Sequence, residues 1–233
     1  MREQSLSIGT VPAILLGEPS ERLYLFVHGH GGSKEEARAF AEVACPAGWQ
    51  VLGIDLPKHG QRVEEDTPFE PWHAVPELRR VMEYAGEGWQ QVALRANSIG
   101  SWFSLLAFAG QPLTRCLLVS PLVDMERMIQ NLMTWSGVTE ERLERAGTIP
   151  TAFGQTLSWE YLSYVRAHPI TVWDVPTRIL RAEKDEQIDG DTVEAFAKRF
   201  SCQLTVMDGG EHWFHTPEEL SALRRWEAEN LNP

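Results

Sequence analysis

Cysteine is scarce in this chain. Cys45, Cys116 and Cys202 are the three among 233 residues. They are odd in number, far apart, and match neither a zinc-ligand spacing nor a disulfide framework. Cys116 in RCLLVSP and Cys202 in CQLTVMD open apolar runs, which places both as buried free thiols and makes a reducing cytoplasm the default compartment. Positive charge is also short: Lys and Arg total 21 against 33 Asp and Glu, a formal charge of −12. The basic residues form no tract, so neither nucleic acid nor an anionic membrane surface is an expected partner, because both need concentrated cations. Long apolar runs are missing as well. The stretch from Ser98 to Ala109 is apolar but falls short of the roughly 18 residues that span a bilayer. The opening MREQSLSIGT has no apolar h-region, so no secretory signal is expected. No repeat, low-complexity linker or charge block is visible.

With 43% apolar and 23% charged residues, the composition is that of an ordinary globular protein, long enough to bury a sizeable core as one domain. Short apolar runs alternate with longer amphipathic ones. The strand candidates are Gln4–Ile8, Pro12–Leu16, Leu23–Val27, Gln50–Ile54, Val92–Ala96, Cys116–Val119, Thr177–Ala182 and Gln203–Met207. The first two are close enough for a hairpin, and most later gaps hold a helix, so the pattern predicts an α/β protein with a largely parallel sheet. Ser33 with Glu36 and Asp191 with Glu194 read as helix starts, and Thr216 with Glu219 adds Pro217 at the first helical position. The last helix then carries Leu220, Leu223 and Trp226 on one stripe.

One segment breaks the alternation. Between Pro121 and Trp173 no strand is evident, while helical patches carry Met125, Met128, Met133, Trp135, Phe153, Trp159, Tyr161 and Tyr164. This predicts a helical insertion at about 122–172. Its aromatics either line a cap over a site, suiting an apolar or aryl substrate, or pack the insertion's own core.

Four segments can carry chemistry. In Val92-Ala93-Leu94-Arg95-Ala96-Asn97-Ser98-Ile99-Gly100 a strand ends, a serine sits on a turn between small residues, and an apolar helix begins. That is a nucleophile-elbow pattern, although a serine capping a helix reads the same way. Leu23–Val27 runs into His28-Gly29-His30-Gly31-Gly32, a glycine-rich loop able to turn N–H groups toward developing negative charge, or a plain strand-to-helix turn. Asp185 follows the strand Thr177–Ala182, and His212 lies in the loop after Gln203–Met207. All four sit at the carboxyl ends of strands, where parallel sheets gather functional loops, in the order serine, acid, histidine. Ser98 needs a base to take its proton, His212 can be that base, and Asp185 can fix the tautomer of His212. The N–H of Ile99, at a helix N-terminus, can donate to an oxyanion.

On these residues the sequence resembles the α/β-hydrolase superfamily over nearly its whole length. The resemblance rests on H-G-H-G-G at His28–Gly32, D-x-P-x-H-G at Asp55–Gly60, A-N-S-I-G at Ala96–Gly100, A-E-K-D at Ala182–Asp185 and G-G-E-H at Gly209–His212. It implies a mostly parallel eight-stranded sheet with only the second strand antiparallel, helices on both faces, and a helical cap after the sixth strand. It implies the triad Ser98, His212 and Asp185, with the His30 N–H as the second oxyanion donor beside Ile99. Ala96 departs from the usual glycine, and Lys58 and Arg62 stand where Gly and Ser are frequent. The implied activity is that of a metal-independent serine hydrolase, first of all a carboxylic-ester hydrolase on a small-molecule substrate. No cofactor is implied, since neither a Walker loop nor a G-x-G-x-x-G opening a helix is present. Dimers are common among such enzymes, which leaves a homodimer open, but no segment reads as its interface.

Rivals remain at several points. Asp124, just past the sixth strand, competes with Asp185 for the acid, and His215 with His212 for the base. Asp55, with Pro57, His59 and Gly60, reads as a structural turn, and His59, His73 and His168 show no usable partner spacing. His28 and His30 resemble a metal pair of barrel enzymes, but the later strands end in Ser98 and Asp185 rather than in further ligands. An amidase, aminopeptidase or thioesterase of the same fold, and a non-catalytic binding protein that kept the fold, are the other function classes.

Overall fold

A computed structural model describes residues 1–152 and 154–232. It separates into two compact units, one built from 1–123 with 172–232 and the other spanning Asp124–Thr171. The first unit is a sheet with helices. Strands β1 (Glu3–Ile8) and β2 (Val11–Leu16) form an antiparallel hairpin. The strands β3 (Arg22–Val27), β4 (Gln50–Ile54), β5 (Gln91–Asn97) and β6 (Leu113–Val119) follow.

Beyond the segment that forms the second unit come β9 (Thr177–Ala182) and β10 (Gln203–Met207). The spatial order is β1-β2-β4-β3-β5-β6-β9-β10. Only β2 runs antiparallel to its neighbours, pairing β1 on one side and β4 on the other, while every other pairing is parallel. The expected eight strands are all present. The sixth is longer than its apolar run, because Leu113, Thr114 and Arg115 extend the ladder beside β5.

The central strands are buried on both faces, which is why β3 and β4 read as continuous apolar runs. Helices α1 (Ala37–Ala44) and α8 (Pro217–Asn230) cover one face, over a core of Tyr24, Phe26, Phe40, Val51, Leu117, Val119 and Trp226. Helices α2 (Pro71–Gly88) and α3 (Ser98–Phe108) pack on each other, and α3 also meets β3, β5 and β6. Helix α7 (Gly190–Arg199) lies against β9 and β10.

The capping boxes of Ser33 with Glu36 and of Thr216 with Glu219 form as expected. Two local expectations are corrected. The cap of α7 is Asp189, whose carboxylate accepts from the Asp191 N–H, because the helix begins at Gly190 rather than after Asp191. Of the three stripe residues of α8 only Trp226 is buried; Leu223 is half-buried and Leu220 exposed. Cys116 is buried and burial raises its thiol pKa, whereas Cys202 is half-buried beside the edge strand β10.

The second unit holds α4 (Met125–Trp135), α5 (Glu140–Ala146), a short hairpin of β7 (Thr148–Pro150) with β8 (Thr156–Ser158), and α6 (Trp159–Ala167). The hairpin corrects the strandless expectation for this segment. Its strands are too short to show a period-2 pattern in sequence. Asp124, Thr139 and Ser158 cap the three helices through their side chains. Helix α4 packs on α6, and Arg166 ties Glu126 to Glu140. Met125 and Met133 are buried, Met128, Trp159, Tyr161 and Tyr164 are half-buried, and Trp135 is exposed. Phe153 lies outside the described residues. No helix among the described residues is long and apolar enough to cross a membrane.

Candidate active site

The turn from β5 into α3 depends on two small-residue positions with different demands. Ser98 takes φ +44°, the left-handed region that L-residues rarely occupy. Its carbonyl accepts from the Leu122 N–H at 3.1 Å, which braces the turn from the chain leaving β6. Gly100 admits no side chain, because a Cβ there would lie 2.2 Å from the His28 carbonyl oxygen and 3.0 Å from that of Val27. Ala96, by contrast, is an ordinary strand residue between Val27 and Leu118, and its buried methyl fits. The departure from glycine therefore leaves the elbow intact.

Across the sheet edge, Ser98 Oγ lies 3.1 Å from His212 Nε2, and His212 Nδ1 lies 2.7 Å from Asp185 Oδ2. The other oxygen of Asp185 accepts the N–H groups of Gln187 and Ile188, both at 2.9 Å. A carboxylate at Nδ1 places the imidazole proton there and leaves Nε2 as the acceptor facing the serine. The side chains of His212 and Asp185 are 9% and 4% exposed, so this contact works with little solvent screening.

Two crossties fix the acid loop relative to the histidine loop. Lys184 N–H donates to the Gly210 carbonyl at 2.8 Å, and Gly209 N–H donates to the Glu183 carboxylate at 2.7 Å. A third anchor comes from α8. The Glu219 carboxylate accepts the N–H groups of Thr216, Glu211 and His215, and these bonds push its pKa down to about 2.

The glycine-rich loop His28–Gly32 leaves β3 against this turn. A Cβ at Gly29 would stand 3.1 Å from Ser98 Cβ, so the loop and the elbow are in contact. Ile99 is the second residue of α3, where N–H groups have no intrahelical acceptor. The His30 N–H has no hydrogen-bond partner among the described residues. His28 is structural: Nδ1 donates to the Gly29 carbonyl at 2.7 Å and Nε2 accepts the Leu56 N–H at 3.1 Å. Burial lowers its pKa to about 4, so it is neutral and both nitrogens are occupied, which leaves none for a metal ion.

The rivals are placed elsewhere. Asp124 caps α4 through the Arg127 N–H at 2.9 Å, and His215 is exposed with its Nδ1 on the Trp213 carbonyl. Asp55 is wholly buried and is a hub for its turn, accepting from Lys34 N–H, Lys34 Nζ and Gln61 N–H.

Sequence reasoning missed two further buried ion pairs around the site. Arg62 grips Glu77 at 2.6 and 2.8 Å, and Arg95 meets Glu227 at 2.8 Å. Arg95 also donates to the side chain of Asn97, the residue before Ser98. Charged residues inside apolar runs, such as Arg95 in VALRAN, are the signal that a buried partner exists, but they do not name it.

No protein-family model matches the sequence, and no curated protein matches it. Solved structures do. Est1E from Butyrivibrio proteoclasticus, described with ferulic acid bound, superposes with a TM-score of 0.77 at 18% identity, covering 97% of this chain and 96% of that one. Alpha/beta hydrolase domain-containing protein 10 from mouse gives 0.77 at 15% identity over 98% of both chains. The Pyrococcus furiosus esterase Pf2001 gives 0.68 at 13% identity, covering 99% of this chain and 93% of that one. Strand order, the single antiparallel strand β2 and these superpositions agree: the chain has the α/β-hydrolase fold.

Proposed function

We propose that this protein is a serine hydrolase that cleaves carboxylic esters of small molecules through an acyl-enzyme. The observation that carries the proposal is the hydrogen-bonded series from Ser98 Oγ through His212 to Asp185, at 3.1 and 2.7 Å. Ser98 Oγ attacks the acyl carbon as its proton passes to His212 Nε2. The carbonyl oxygen becomes an oxyanion held by the N–H groups of His30 and Ile99. The tetrahedral species collapses, and His212 gives its proton to the departing alcohol. Water then gives a proton to His212 and attacks the acyl carbon, which releases the acid and restores Ser98. Asp185 holds the imidazole in the required tautomer and offsets the charge of the imidazolium.

Esters are preferred as substrates because the Pyrococcus protein of similar fold carries the name esterase and Est1E is described with a carboxylic acid, ferulic acid, bound. A thioesterase domain from the curacin biosynthetic pathway shares the fold too, with a TM-score of 0.64 at 16% identity. Thioesters and anilides therefore belong in the substrate panel beside esters.

The test is labelling with a fluorophosphonate probe, with the adduct located by mass spectrometry. The expected result is an adduct on Ser98 that is absent from Ser98→Ala and His212→Ala, with turnover of esters faster than of matched anilides. A folded wild-type protein that takes no label would overturn the proposal and favour a binding protein.

A further inference from the structure

A file of aromatic rings leads from the elbow helix to the oxyanion loop. It begins at Phe103 on α3, the helix that Ser98 starts, and passes to Phe69 at 5.3 Å between ring centroids. From Phe69 it continues to His59 at 4.4 Å, and from His59 to His30 at 5.5 Å, edge to face. Phe103 is buried, Phe69 half-buried and His30 exposed, so the file runs from the core to solvent along the loop whose Gly29 touches Ser98. Within it His59 is 7% exposed and only half used. Its Nδ1 lies 2.8 Å from the Pro57 carbonyl, which fixes the proton on that nitrogen. Nε2 is then a lone-pair acceptor, and it has no hydrogen-bond partner among the described residues. Burial holds the His59 pKa below its ordinary value, with the nearby His30 adding to the effect, so the acceptor form persists at neutral pH. The contrast with His28, whose two nitrogens are both occupied, separates a fully bonded imidazole from one that keeps an acceptor in reserve.

We propose that His30, His59 and Phe69 form the acyl-group wall of the site, and that His59 Nε2 selects acyl groups whose flat ring carries a hydroxyl. The location of the acyl carbon rests on the serine-hydrolase reading above. Flat rings pack against such a wall in offset or edge-on geometry. A ring hydroxyl donates a hydrogen bond to Nε2, whereas an unsubstituted ring covers Nε2 and leaves it unpaired.

The test measures kcat/KM for methyl esters of benzoic and 3-phenylpropanoic acids with and without ring hydroxyls, and for methyl hexanoate. In the wild type the best hydroxylated ester is expected to exceed its plain counterpart about tenfold. His59→Phe, which keeps a ring and removes the acceptor, brings that ratio near one, and His59→Gln, which restores an acceptor, recovers part of it. Phe69→Leu lowers the preference for aryl over hexanoyl esters while leaving the hydroxyl ratio in place. These ratios do not depend on the fraction of each variant that folds. In parallel, calorimetry on Ser98→Ala compares binding of the free hydroxylated and plain acids, which needs no turnover. A wild-type ratio near one, or a ratio unchanged in His59→Phe, overturns the proposal. If the wild type takes neither fluorophosphonate nor any ester, the serine-hydrolase reading fails. The calorimetry then decides the wall on its own, and equal binding of the two acids would sink it.

Discussion

Removing the carboxylate of Glu227 should be among the most damaging single changes outside the site. Arg95 and Glu227 have side chains 3% and 4% exposed, and Nε and Nη2 of the arginine both lie 2.8 Å from Oε1 of the glutamate. The guanidinium sits 5.6 Å from the ring of Phe26 and 5.8 Å from that of Phe40, with Nη1 donating to the Ala96 carbonyl and to Asn97. Truncation in Glu227→Ala leaves a buried positive charge without the carboxylate that is hydrogen-bonded to it. Breaking a buried pair from one side costs about 3–5 kcal/mol. At about 2–4 °C per kcal/mol for a chain of this size, the melting temperature falls by about 6–20 °C. Replacing both partners, Arg95→Met with Glu227→Leu, removes the stranded charge and the desolvation cost together. The double variant should therefore be at least as stable as the wild type. Thermal melts and urea titrations of the four proteins complete the cycle. A loss below about 1 kcal/mol in Glu227→Ala would refute the reasoning, as would a double variant no better than the single. Either outcome would mean that the pair is hydrated or that its charge is carried elsewhere.

The elbow predicts an asymmetry: Gly100→Ala forces a methyl onto the His28 backbone and costs about 3 kcal/mol or more, whereas Ala96→Gly costs about 0.5–1 kcal/mol, both read from urea midpoints. His28 gives a pH dependence of stability. Its folded pKa of about 4 lies below the ordinary 6.5, so the unfolded chain binds the proton more readily between those values. The neutral histidine's contribution is complete above pH 6.5 and is lost as the pH falls toward 4, amounting to about 3 kcal/mol. Subtracting the stability profile of His28→Asn should isolate that slope, and identical profiles would contradict it. Asp185→Asn should keep the fold but slow fluorophosphonate labelling on the order of 10⁴-fold, because the amide favours the wrong imidazole tautomer. Labelling at the wild-type rate would remove Asp185 from its proposed role.

What was legible in the sequence is what is encoded locally. The strands appear as apolar runs because the parallel sheet is covered on both faces, and the two capping boxes follow from residue types three apart. Ser98, Asp185 and His212 were legible through their order at strand ends, since the topology brings those ends to one edge. The hairpin of Thr148–Pro150 with Thr156–Ser158 was not, because three residues carry no period. Nor were the ion pairs. Lys34 with Asp55 and Arg62 with Glu77 join residues 21 and 15 apart, and Arg95 with Glu227 joins residues 132 apart. In the sequence His59 is a histidine in a turn with no usable partner spacing. Its ring neighbours come from two other segments, the loop that holds His28 and His30 and the one that holds Phe69, so only the folded chain shows that Nε2 has no hydrogen-bond partner among the described residues.

Two carboxylates hold the proposed base, and they act on different parts of it. Asp185 meets the imidazole itself at Nδ1 and so governs tautomer and charge. Glu219 never touches the ring of His212; it gathers the backbone N–H groups of Glu211, Thr216 and His215, and so governs where the loop lies. The difference has a thermodynamic consequence. With its pKa pushed down to about 2, Glu219 stays ionised at neutral and mildly acidic pH, so the loop anchor is constant over that range. A change of rate with pH over that range then does not come from release of this anchor. Glu219→Gln separates the two roles, since its single carbonyl oxygen cannot replace two charged ones. It should lower labelling at every pH without moving the midpoint of the profile, whereas a shifted midpoint would show that Glu219 acts on the imidazole after all.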